Sequence, residues 1–129
     1  MKKYSIPDIE LMEPGHLACP GCGAAVGMRL ALKALGEKTI FVIPASCWSI
    51  IPGAFPHSAF DIPIYNAAFE TGGSTASGIV AALEVLGDEE TTVVAWAGDG
   101  GTFDIGFQAL SGAAERNDNF IYICNDNEA

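Results

Sequence analysis

Trp96-Ala97-Gly98-Asp99-Gly100-Gly101-Thr102-Phe103 abruptly closes an apolar, β-branched run that begins at Thr91. Such a run, bounded by turn residues, predicts a buried strand over Thr91–Ala97. Asn119–Cys124 repeats the pattern near the end of the chain and stops at Asn125-Asp126-Asn127. The 24 residues between Gly100 and Asn125 are enough for one helix and one strand. Two parallel strands joined in this way end side by side. Both turns then face the carboxyl edge of a sheet, where open α/β folds bind ligands. One carboxylate with carboxamides beside it is oxygen chemistry. It suits a hard divalent cation such as Mg²⁺, which usually brings phosphates with it.

Outward from this pair, Ile105–Arg116 reads as a small-residue-rich helix able to pack closely on the sheet. Ser74–Leu86 reads as a second helix, with Ser74 or Thr75 as N-cap and Gly87 as terminator. Asn66–Glu70 reads as a short strand, and residues 49–66, with three prolines and three aromatics, as a long ordered loop. Thr39–Pro44 is a short buried strand. Ala24–Leu35 carries apolar residues at Ala25, Met28, Leu32 and Leu35, a helical stripe ending at Gly36. Residues 1–15 have no periodicity and read as an extended arm, on the domain or on a partner. The order predicts one α/β domain over residues 16–129, a parallel sheet flanked by helices with right-handed crossovers.

Composition agrees with a buried α/β chain. Of 129 residues, 50% are hydrophobic and 17% charged, with a net charge of −10. Five of the six basic residues fall in the first 38 positions. The rest is acidic, which argues against nucleic acid and anionic membrane as partners. No run of about 18 apolar residues exists to span a membrane, and the N-terminus lacks the apolar core of a signal peptide. The expectation is a cytoplasmic protein that hides apolar surface against partners.

Cys19-x-x-Cys22, with Cys47 25 residues further on, is compatible with a redox dithiol, zinc or an iron–sulfur cluster. A cluster takes four thiolates, and zinc would want a second close pair. Cys124, in the run Phe120–Cys124, reads as a small buried core residue rather than the fourth ligand. His16 and His57 read as packing or solvent-contacting residues, and Trp48 and Trp96 as core or cofactor-wall aromatics. Glu70 reads as a cap of the helix that follows it.

Taken together, two motifs resemble a known family. Gly98-Asp99-Gly100 followed by Asn125-Asp126-Asn127 is similar to the thiamine diphosphate signature. His16-x-x-Cys19-x-Gly21-Cys22-Gly23 with Ser46-Cys47 is similar to the β subunits of 2-oxoacid:ferredoxin oxidoreductases, pyruvate:ferredoxin oxidoreductase (pyruvate synthase) above all. The resemblance spans roughly residues 14–129. It implies a thiamine diphosphate-binding fold, with Asp99, Asn127 and the carbonyl of Ala129 on Mg²⁺. It places Gly98, Gly100, Gly101 and Asn125 at the diphosphate, and Cys19, Cys22 and Cys47 on a [4Fe–4S] cluster. It implies oxidative decarboxylation of pyruvate with coenzyme A to acetyl-CoA and CO₂, electrons passing to ferredoxin, or the reverse synthesis. Partner α, γ and δ subunits are implied, the α chain lending the glutamate that activates the cofactor, so that no catalytic side chain is expected here. Members of the family continue past this point with a Tyr-x-Asn-Thr-Gly segment and a fourth cluster cysteine. The chain therefore reads as the N-terminal part of a β subunit, its fold incomplete at the C-terminus and inactive alone. A non-redox thiamine diphosphate decarboxylase or carboligase, and a non-catalytic assembly module, are the alternatives.

Overall fold

A computed structural model describes residues 5–128. Four parallel strands form its sheet: β1 (Thr39–Pro44), β2 (Ile64–Ala67), β3 (Thr92–Gly98) and β4 (Ile121–Asn125), in the order β2-β1-β3-β4. Helices α1 (Gly23–Leu35), α2 (Gly72–Leu86) and α3 (Phe107–Arg116) complete the α/β architecture. The strands β3 and β4 do end together, with Gly98 paired to Asn125.

Strand β3 is buried from Val93 to Ala97 because both its faces are covered. Side chains alternate across a strand, so neighbouring residues enter different cores. Val94 and Trp96 join Phe41, Ile43, Met28 and Leu32 beneath α1. Val93 and Ala95 join Val42, Ala76 and Val80 beneath α2. On the α1 side the aromatics interlock. Trp96 stacks on Phe41 at 6.1 Å, and Trp48 meets Trp96 edge-on at 5.8 Å. Pairs of this kind add about 0.5–1.5 kcal/mol beyond their burial. Among the described residues no helix is long and apolar enough to cross a membrane.

Element boundaries differ from the sequence reading in ways tertiary contact explains. The second strand is Ile64–Ala67 rather than Asn66–Glu70, because its extent is set by pairing with Phe41–Pro44. Helix α2 starts at Gly72, with Thr71 at the N-cap position and Glu70 in the turn before it. Neither Ser74 nor Thr75 is the cap. Ser74 already lies in the first turn, its hydroxyl donating to the Thr71 carbonyl at 3.2 Å. Two glycines open this helix because a Cβ at Gly72 would come within 2.8 Å of the Pro44 ring in β1, and one at Gly73 within 2.9 Å of the Ala109 backbone in α3. Close packing of the two helices thus overrides propensity. Helix α3 begins at Phe107, and a π turn, Gly100–Asp104, occupies the preceding stretch.

The arm packs on this domain through its described residues. Leu11 and Met12 are buried in the α1-side core. The Glu13 N–H donates to the Ala59 carbonyl at 2.7 Å, and the Asp61 N–H to the Leu11 carbonyl at 3.1 Å. Lys33 of α1, almost fully buried, donates to the carbonyls of Pro7 (3.1 Å) and Ile9 (2.9 Å) and lies 2.6 Å from the Glu10 carboxylate. Arg29 adds a two-pronged contact to the same carboxylate at 2.6 and 2.8 Å. The Arg29 and Lys33 hydrogen bonds hold the Glu10 carboxyl down at about 2, against an ordinary 4.5.

Lys33→Met removes the donor shared by these carbonyls. It should release the arm and lower stability by about 1–3 kcal/mol, read by denaturant unfolding and by proteolysis ahead of Met12. Because the folded pKa of Glu10 is depressed, its contribution is complete above about 4.5 and fades as pH falls toward about 2. Methyl NMR of Leu11 and Met12 should show the arm loosening through that window. Glu10→Gln should abolish the pH dependence there.

Candidate functional site

In the order β2-β1-β3-β4, the chain leaves β1 toward β2 and leaves β3 toward β4. The two adjacent central strands therefore send their connections in opposite directions. The crevice beyond their carboxyl ends is the topological switch point of the sheet, the favoured ligand position in open α/β folds. A cavity of about 240 Å³ lies there. Ser46, Cys47 and Trp48 line it after β1, Gly98 and Gly100 after β3, Asn125 and Asn127 after β4, and Phe69 after β2. A larger cleft, about 450 Å³ around Leu83, Asp88 and Thr91, lies at the amino end of β3. It receives none of the turns that end the strands.

Each wall has a local cause. After β1, Ser46 caps a 3₁₀ turn, Cys47–Ser49, its Oγ accepting from the Trp48 N–H at 3.3 Å. Its own N–H donates to Ser49 Oγ at 3.2 Å, closing a capping box. This turn presents Cys47 outward and sinks the Trp48 ring into the aromatic cluster. After β3, Asp99 takes helical backbone angles and leads into the π turn. Turns of this type often mark functional sites. The Thr102 hydroxyl donates to the Gly98 carbonyl at 2.6 Å and lies 3.3 Å from the Tyr122 hydroxyl. After β4, the backbone N–H of Asn127 donates to Asp99 Oδ1 at 3.5 Å, linking the turn after β4 to the turn after β3. Ala129 lies outside the described residues.

Phe69 had no signal in the sequence. Its ring covers the π turn: a Cβ on Gly100 would stand 3.2 Å from Cζ, and one on Gly101 3.2 Å from Cε2 and 3.3 Å from the Phe69 carbonyl oxygen. Phe69 is what a side chain at either glycine would strike. Toward Gly98, by contrast, a Cβ would meet open space. At Gly106 a Cβ would drive into the Gly101 carbonyl.

The cysteines are only partly gathered. Cys47 is exposed at the cavity, Cys19 is exposed and Cys22 half-buried ahead of α1. Backbone bonds connect their segments, Leu17 N–H to Ile51 carbonyl (2.8 Å) and Ile51 N–H to Cys47 carbonyl (3.0 Å). Among the described residues, no three His, Cys, Asp or Glu side chains converge on one metal ion. Cys124 is half-buried beside Asn125 in β4. His16 accepts the Ala18 N–H at 3.3 Å, and His57 is exposed.

Comparison with known proteins identifies the family. Residues 47–129 match the family described as thiamine pyrophosphate enzyme, C-terminal TPP binding domain. The chain is 53% identical to the pyruvate synthase subunit PorB of Methanothermobacter thermautotrophicus, over 96% of this chain and 43% of that protein. It is equally identical, 53%, to the ketoisovalerate oxidoreductase subunit VorB of Pyrococcus furiosus, over 99% of this chain and 43% of that one. Identity to the PorB of Methanocaldococcus jannaschii is 45%, over 95% and 44%. The chain spans under half the length of these curated relatives.

Substitution by alanine should cost stability in the order Gly106, Gly101, Gly100, the last about 1 kcal/mol or less and the first about 3 kcal/mol. Phe69→Ala should rescue Gly100→Ala, which meets only a movable ring. It should not rescue Gly106→Ala, which meets backbone. Denaturant unfolding of the double-mutant cycle reads both couplings.

Proposed function

We propose a function on the premise that this chain belongs to the thiamine pyrophosphate enzyme family through the C-terminal TPP binding domain: it is the cofactor-anchoring part of a 2-oxoacid:ferredoxin oxidoreductase β subunit. The observation that carries the reading is the cavity at the switch point, lined by Gly98, Gly100, Asn125 and Asn127, together with the contact of the Asn127 N–H with the Asp99 carboxylate. This donor set fits a cation-bridged diphosphate. It offers one carboxylate and one carboxamide for Mg²⁺, and open space at Gly98 where the backbone can approach phosphate oxygens. Asp99 and Asn127 hold the cation, joined by the carbonyl of Ala129. Asn125 and the backbone of Gly98, Gly100 and Gly101 bind the diphosphate.

Thiamine diphosphate, when bound, supplies the carbanion stabilisation that no side chain offers. The chain's own residues position and enclose. Trp48 and Phe69 wall the cavity against water, and the aromatic cluster beneath Trp48 keeps that wall rigid. The activating glutamate comes from the α subunit. Exposed Phe103, Ile105 and Phe107, in and just after the π turn, support a partner docked close by.

The favoured substrate is pyruvate, oxidised with coenzyme A to acetyl-CoA and CO₂ while ferredoxin takes the electrons, or formed in the reverse direction. The setting is an assembly with α, γ and δ subunits in the cytoplasm. A relative named for ketoisovalerate matches as closely as one named for pyruvate. Selectivity among 2-oxoacids therefore rests on residues outside the shared anchor, the 49–66 loop included. The reading also gives Cys19, Cys22 and Cys47 to a [4Fe–4S] cluster. Support comes from the backbone bonds that link their segments. Three thiols do not close a four-thiolate set, so the fourth ligand lies elsewhere.

Titration of thiamine diphosphate into the complete protein, with and without Mg²⁺, tests the anchor by calorimetry. Binding should require Mg²⁺, and Asp99→Asn should weaken it by about 100-fold or more. Cation-independent binding, or an unaffected Asp99→Asn variant, overturns the reading. Iron and sulfide analysis of protein purified without oxygen tests the thiolates. Cys19→Ser and Cys22→Ser should each lower cluster content, and unchanged content would leave the non-redox alternative.

A further inference from the structure

We propose that Thr102, backed by Tyr122, is a positioning residue that sets the cation-holding geometry of Asp99; the inference rests on the thiamine diphosphate reading above. The Thr102 hydroxyl is nearly inaccessible, the residue being 3% exposed. Having one proton, the hydroxyl gives it to the Gly98 carbonyl at 2.6 Å. Its oxygen is then free to accept from the Tyr122 hydroxyl at 3.3 Å. A threonine bonding back four residues is by itself ordinary in helical backbone. The second link is not local. Tyr122 belongs to β4, and its hydroxyl also lies 3.6 Å from where a Gly72 Cβ would project at the start of α2.

The hydroxyl chain Tyr122–Thr102–Gly98 therefore ties three elements together at the residue immediately before Asp99. The Gly98 carbonyl is the last of β3, and its orientation fixes the peptide that carries the Asp99 N–H. Asp99 in turn meets the Asn127 N–H from the far end of β4. The two ends of β4 are thus coupled to the aspartate, one through Tyr122 and Thr102, the other through Asn127. Neither hydroxyl is needed as a ligand. Their effect is to hold the carboxylate where the carboxamide can share a cation, so that ordering the turn is not left to the binding step.

The test uses the complete protein and the quenching of intrinsic tryptophan fluorescence, for which Trp48 in the cavity wall is the reporter. At fixed thiamine diphosphate, Mg²⁺ is titrated to a midpoint. Thr102→Val should raise that midpoint about fivefold, as expected when the hydroxyl's bonds to Gly98 and Tyr122 are both lost. Thr102→Ser, which keeps the hydroxyl, should stay near wild type. Tyr122→Phe should raise the midpoint about twofold. A wild-type midpoint in Thr102→Val while Asp99→Asn abolishes the response overturns the inference and leaves the anchor intact. Equal losses in Thr102→Val and Thr102→Ser also overturn it, because packing rather than the hydroxyl would then be responsible. If Thr102→Val does not fold, Tyr122→Phe decides: a raised midpoint supports the chain, an unchanged one refutes it. An unaffected Asp99→Asn variant would instead sink the underlying thiamine diphosphate reading, and this inference with it.

Discussion

The pairing of β3 with its two neighbours is the constraint on which everything else depends. Parallel pairing leaves every strand running the same way, so all carboxyl ends fall on one edge. The register brings Gly98 level with Asn125, and Thr39–Val42 level with Thr92–Ala95. Apolar burial drives it: both faces of β3 are covered, Val93 and Val94 each contributing about 1.5–3 kcal/mol when fully buried. Sliding β3 by one residue would exchange the two cores and put Trp96 under α2. The site inherits its accuracy from that register.

The candidate site sits where the connections of this sheet part. Within the sheet the central strands β1 and β3 pair their backbone groups on both sides. At the switch point the connections part, and backbone and small polar groups are left facing a cavity. Apart from Trp48, the residues that line it contribute little hydrophobic burial. What holds them is a set of polar and steric contacts: the Ser46 capping box, the π turn under Phe69, and the hydroxyl pair Thr102 and Tyr122. The burial of Tyr122 raises its pKa, so the hydroxyl keeps its proton in neutral solution.

The two cores carry different loads. The α2 side is built of small and β-branched residues and lets α2 and α3 approach closely. The α1 side is aromatic and holds the arm, the Trp48 turn and the 49–66 loop on one cluster. Through Trp48 this second core reaches the cavity wall. A change at Leu11 or Phe60 can therefore be felt at the site without touching it.

The sequence by itself determined the fold class, the four strands, the three helices and the coincidence of the Gly98 and Asn125 turns. These follow from local signals: apolar runs of strand length, helical stripes, and turn residues that end them. It also determined the chemistry of the pair, since a carboxylate between glycines and a flanking carboxamide have that character in any fold. Only the tertiary structure decided where elements begin. The start of α2 depends on the fit of Gly73 against Ala109, and β2 takes its length from β1, neither a local property. It decided that Phe69 rides over Gly100 and Gly101, that Lys33 is spent on holding the arm, and that Thr102 answers to Tyr122. Those residues lie between 20 and 32 positions apart along the chain, and no periodicity relates them. Burial of β3 between two cores, one under α1 and the arm and one under α2, brings their segments together.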